Sequence, residues 1–142
     1  VKPPVFNADK IDIDEKFGDF ITQFEMLGTL KNGWYNGEGK AADKIALEWL
    51  KNSFQFFYDH KLPYPNLYLT QEGDVLAEWS FSNLHDISLE INLIDKTGMF
   101  DCLNLETGKS LDVEDKLYLS DKSGWVVLNS NICKVYIIND KI

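Results

Sequence analysis

The sequence predicts an α+β domain: an N-terminal helical hairpin packed on one face of an antiparallel sheet of four to five strands. Two observations carry that reading. Apolar residues recur every three or four positions up to about residue 60, and from Asn66 the period changes to two. A third, the Lys61–Pro65 stretch KLPYP, marks the switch, because Pro63 and Pro65 cannot continue a helix and bias their predecessors toward extended backbone.

The first helix is expected from about Asp14 to Leu30, with Phe17, Phe20, Ile21, Phe24, Leu27 and Gly28 on one stripe and Asp12 or Asp14 capping its start. Residues 1–10, with Pro3 and Pro4, suit an extended N-terminal arm. The second helix repeats the period through Ala42, Ile45, Ala46, Trp49, Ser53 and Phe56 or Phe57, to about His60. In the strands that follow, Val75, Ala77, Trp79 and Phe81 oppose Leu76, Glu78 and Ser80, and Ile87, Leu89, Ile91 and Leu93 oppose Ser88, Glu90 and Asn92. Turns at Glu72-Gly73 and from Asp95 to Gly98 complete a meander from Asn66 to Leu105. Beyond Thr107 the pattern weakens: Leu117, Tyr118 and Leu119 suit a short extended piece, Ser120 and Asp121 can cap a helix through Trp125, Leu128 and Ile132 against which Gly124, Val126 and Val127 argue, and the final CKVYII suits a closing strand.

A chain of 142 residues fits one domain, and at this size about 68% of the unfolded chain's surface is buried. With 44% hydrophobic and 13% aromatic residues the composition is globular, and no window approaches the roughly 18 apolar residues that span a bilayer. The start lacks the apolar centre of a signal peptide, and the two cysteines, Cys102 and Cys133, lie in apolar runs as reduced thiols would; a cytoplasmic location is the expectation. With only His60 and His85 besides, neither a metal site nor a cofactor is expected.

The net charge of -9 is unevenly spread. Residues 1–71 carry ten acids and eight bases, 72–115 eleven acids and two bases, and 116–142 two acids and four bases. Direct nucleic-acid binding needs the opposite, a basic stripe that neutralises phosphates.

The Gly33–Asp43 stretch GWYNGEGKAAD invites three ligand readings. Gly37-Glu38-Gly39-Lys40-Ala41-Ala42 fits a dinucleotide glycine fingerprint in spacing, but a helix rather than a strand precedes it. Gly39-Lys40 lacks the upstream glycine and the hydroxyl of a phosphate loop. A calcium hairpin counted from Asn32 would end on Asp43, with Trp34 and Lys40 at ligand positions. A tight corner explains more of the residues, with Trp34 and Tyr35 plugging the hairpin end or forming a recognition patch.

If the strands 75–82 and 87–94 pair around a short loop at Asn83–His85, Glu78 faces Glu90. Like charges in facing positions destabilise a sheet, so either both carboxylates are well hydrated, or a two-residue shift of register separates them, or the outer face meets a positively charged partner. The expected function is a non-catalytic acidic binding protein, most concretely an antitoxin or immunity-type neutraliser of a basic partner such as a toxin, contacting it through Asp74, Glu78, Glu90, Asp95, Trp34 and Tyr35. The alternative is a small hydrolase or carbohydrate-binding protein using Glu78 and Glu90 as paired carboxylates.

The pattern GW-x-x-GEG, a following helix, then P-x-L-Y-x-T-x-E-G and E-W, from Gly33 to Trp79, resembles a group of short bacterial proteins without an assigned activity. Ala42 stands where that group has proline. The resemblance implies no site residue.

Overall fold

A computed structural model describes residues 8–140, with side chains placed from residue 15 to 138. Helix α1 spans Ala8–Gly28 and α2 Lys44–Phe57; strands β1 (Asn66–Leu69), β2 (Val75–Trp79), β3 (His85–Asn92), β4 (Thr97–Asn104) and β5 (Lys116–Tyr118) follow, and α3 (Lys122–Asp140) closes the chain. The sheet is an antiparallel meander in the order β1-β2-β3-β4-β5. The α+β architecture with its N-terminal helical pair on the sheet is as expected.

The helices form one layer over one sheet face. Helix α1 lies against β1 and α2, and α3 lies against β5 and α2, which leaves α2 between the other two. Phe20, Phe24, Leu50, Phe54, Trp125, Leu128, Ile132 and Val135 come down from the helices to meet Val75, Ala77, Ile87, Leu89, Ile91, Phe100 and Leu117 from the strands. Aromatic rings knit the layer: Phe54 packs edge-on against Phe20 at 5.0 Å and against Trp125 at 4.8 Å between ring centres.

The structure departs from the sequence expectations at both ends of the chain and along α2. Helix α1 begins by Ala8, so Asp12 and Asp14 lie inside it instead of capping it, and the arm expected over residues 1–10 is helical from Ala8; its first seven residues lie outside the described ones. Helix α2 ends at Phe57, with Tyr58 as its cap in extended backbone. Its buried stripe is Ala46, Leu47, Leu50, Ser53 and Phe54, rotated from the predicted one, and Ile45, Phe56 and Phe57 are exposed.

Near the C-terminus, CKVYII belongs to the second half of α3 and is not a strand. Trp125, Leu128, Ile132 and Val135, all buried, set a helical period that the β-branched residues between them obscure. Gly124 permits the helix to start where it does. A Cβ there would stand 2.1 Å from the Tyr118 carbonyl oxygen, so only glycine allows α3 to turn this tightly off β5.

Both sheet edges are blunted. Leu67 on β1 donates its N–H to the Gln23 side chain of α1 (2.8 Å), and Gln71 just beyond accepts from the Lys40 N–H (2.8 Å). Strand β5 is three residues long and is followed at once by α3. Edges blunted in this way do not template pairing with further strands.

Candidate functional site

The Gly33–Asp43 connection is a corner whose backbone bonds to itself. Tyr35 and Glu38 exchange N–H to carbonyl bonds of 2.8 Å in each direction around Asn36 (φ 51°) and Gly37 (φ 89°), a hairpin turn that demands two left-handed residues. The Gly33 N–H reaches the Gly39 carbonyl, the Gly37 N–H the Gly33 carbonyl, and the Ala41 N–H the Asn32 side chain. A phosphate cradle needs those amides free, and here they are engaged. The calcium reading fails by the same accounting, because Asn32 is bonded to Ala41 and the Asp43 carboxylate accepts the Ala46 N–H as the N-cap of α2 (2.9 Å). Among the described residues no three His, Cys, Asp or Glu side chains converge as metal ligands would.

The six residues expected to contact a partner fall at two places. Trp34 is half-buried, its indole donating to the Lys40 carbonyl (3.0 Å) with Gly39 against its ring, while Tyr35 beside it is exposed. The Lys40 to Gln71 bond ties this corner to the β1–β2 turn, near Asp74. Asp74 is no free acid: one of its carboxylate oxygens accepts the Leu93 N–H (3.0 Å) and so locks that turn to the end of β3. Asp95 is exposed in the β3–β4 turn.

Glu78 and Glu90 lie in the middle of the sheet on the face away from the helices, and both are exposed. Their register is two residues from the expected one. Glu78 pairs with Ser88 and Glu90 with Leu76, so the two glutamates are diagonal neighbours, roughly 7 Å apart in such a ladder. The connection is longer than expected, running from Ser80 to Leu84, because Phe81 leaves the strand to pack edge-on against Tyr136 of α3 at 5.3 Å. The diagonal placement removes the face-to-face repulsion that a short loop would impose.

The register assembles an acidic face larger than the two glutamates. One row across the sheet reads Asn66, Glu78, Ser88, Asp101; the next reads Tyr68, Leu76, Glu90, Met99, Lys116. Asp86, beside the first row, is exposed, as are Asp101, Tyr68 and Met99. The period-two pattern contains the signal for both acids, since Asp101 lies between buried Phe100 and Cys102 and Asp86 precedes buried Ile87; what the sequence hides is which strands bring them together. A shallow hollow of about 450 Å³ opens here, lined by Glu78, Asp86 and Asp101 with Ser82, His85 and Ser88 among its other walls. Asp101 accepts from the Ser110 hydroxyl (2.8 Å), and Lys116, at the β5 edge, is the single base in the two rows. Among the described residues Glu78, Asp86 and Glu90 have no ion-pair partner.

The other titratable groups that could serve chemistry are engaged by neighbours. The buried Tyr58 hydroxyl bonds the Pro63 carbonyl and accepts from the Trp79 indole (3.0 Å), and burial raises its pKa far above the ordinary tyrosine value. His60 has one ring nitrogen on the Tyr64 hydroxyl and the other on the Gln55 carbonyl. His85 meets only the Ser82 hydroxyl, at 3.2 Å. Burial, with a smaller push from Asp101, raises the Cys102 thiol to about 11, so at neutral pH it is an inert packing group.

No family model, no curated protein and no solved structure matches the chain. No helix among the described residues is long and apolar enough to cross a membrane.

Proposed function

We propose that this chain is a non-catalytic binding module whose uncovered sheet face receives a basic protein, in the manner of an antitoxin or immunity protein that neutralises a toxin. One observation supports this above others: four exposed acids, Glu78, Asp86, Glu90 and Asp101, share a sheet face on which no helix packs. The exposed rings and thioether of Tyr68, Met99 and Tyr118 lie on the same face and give a partner apolar surface to bury between its charged contacts. Exposed Tyr35 and Asp95 lie at the turn end of the sheet, where a partner can reach them, while Trp34 and Asp74 serve the fold.

Oppositely charged faces accelerate encounter and select partners, and their interaction weakens as salt screens it. The test is affinity capture from cells of the native host with the wild-type chain and with a Glu78→Lys, Glu90→Lys, Asp101→Lys triple variant. A basic protein retained by the wild type, released by moderate salt and lost from the triple variant is the expected result. Equal retention by both chains would end the proposal.

A further inference from the structure

A second concavity lies away from the acidic face. It is an open apolar groove of about 730 Å³ along the outward side of α2, lined by Lys44, Ile45, Glu48, Trp49, Asn52 and Phe56 among others. Ile45 is 85% exposed and Phe56 76% exposed, although Ala46, Leu47, Leu50 and Phe54 already anchor α2 to the core. A helix apolar on both sides has more burial to make than its own fold uses.

The outward stripe, exposed at Ile45, Asn52 and Phe56 and half-buried at Trp49, has a definite spacing. Ile45, Trp49, Asn52 and Phe56 follow steps of four, three and four residues, the a/d seam along which two helices interlock knobs into holes. The set is self-complementary when two such helices run antiparallel. Ile45 of one then meets Phe56 of the other, and Trp49 meets Asn52, where the indole N–H has an amide oxygen to bond. A single polar residue in such a seam fixes register.

Charge favours this pairing twice. The chain carries -9, and its acids crowd the opposite face, so two copies repel unless they meet helix side to helix side. Around the groove, Glu48 pairs with Lys51 (3.7 Å), Lys44 stands at its N-terminal end, and Lys96 lies 5.1 Å over the Trp49 ring. The last turn of α2 has no basic residue to balance its C-terminal carbonyls, and exposed Asp59 adds negative charge just beyond it. An antiparallel neighbour brings its Lys44, from the first turn, to that end.

We infer that a second copy of this chain docks on the Ile45–Trp49–Asn52–Phe56 face of α2, forming an antiparallel two-fold dimer that leaves both acidic sheet faces free. A helix of this length presents only about 21 Å of seam, so the dimer is reversible, with a dissociation constant on the order of 10 to 100 μM.

Sedimentation equilibrium of the full chain across that range should show dimerisation. Ile45→Glu and Phe56→Glu should each leave a monomer with an unchanged melting temperature, because both side chains are exposed in the single chain. Lys44→Glu should weaken the dimer about tenfold, through two lost contacts to helix C-termini. Asn52→Leu should tighten it roughly tenfold by replacing the polar position of the seam. A wild-type monomer throughout, or a dimer that survives both glutamate substitutions, overturns the inference. Neither result bears on the acidic face, whose partner is read separately by capture and salt release.

Discussion

Leu89 and Glu90 are adjacent on β3, yet they belong to different problems. Leu89 has no exposed surface; Ala77 and Phe100 flank it across the sheet, under the helix layer. Glu90 is exposed, between Leu76 and Met99, with no layer above it. Every inward position is held by packing, and its identity follows from volume and shape. The outward positions are free of that constraint. An outward-facing lysine in β2 or β3 would fold as well as a glutamate, so the absence of one across those two strands is a feature that folding does not require.

The two faces should therefore respond to substitution on different scales, and the largest effect belongs to the element that seals the inner one. Gly124→Ala drives a methyl group into the Tyr118 carbonyl oxygen, 2.1 Å away, and the backbone of β5 and α3 has to separate. A loss of about 4 kcal/mol or more in denaturant unfolding is expected. A loss near 1 kcal/mol would mean that α3 reseats easily and that the inner face is less firmly closed than the contacts of Trp125 and Leu128 indicate. Next in size is the comparison itself. Leu89→Ala should cost about 3 kcal/mol through lost burial and the cavity left beneath the helices, while Glu90→Ala at the next position should stay within about 0.5 kcal/mol. Equal costs would abolish the distinction between the faces.

Much of this arrangement is legible in the sequence. The stripe Phe17, Phe20, Phe24, Leu27 and the alternation through Val75–Trp79 and Ile87–Ile91 give the helix and strands directly, because one side of each is buried and the period records it. Register is not recorded in that way. Shifting β2 against β3 by two residues keeps every side chain on its face, so the pattern cannot distinguish Glu78 opposite Glu90 from Glu78 opposite Ser88; the packing of Phe81 on Tyr136 decides it. Helix α2 misleads for a related reason. It carries two apolar stripes, and periodicity alone does not say that the one through Leu47, Leu50 and Phe54 faces the core while the one through Ile45 and Phe56 faces out. In α3, Val126 and Val127 have low helix propensity, which tertiary burial of Trp125 and Leu128 overrides.

The smallest expected change in stability is also the most direct test of what the outer face is for. Glu90 lies diagonal to Glu78, and Lys116 is two strands away in its own row, across Met99. Reversing it with Glu90→Lys exchanges a weak diagonal repulsion for a weak attraction in solvent-exposed surroundings, where such pairs contribute a few tenths of a kcal/mol. The melting temperature should stay the same or rise slightly. Attraction for a positively charged surface must nonetheless fall, because the substitution changes the charge of that face by two units at its centre. The informative measurement is thus a pair: thermal unfolding and low-salt binding of the captured basic partner, on the same variant. Unchanged unfolding with weakened binding separates the acid's role from the fold, whereas a marked drop in stability would show that Glu90 supports the sheet and that the contrast with Leu89 is one of degree.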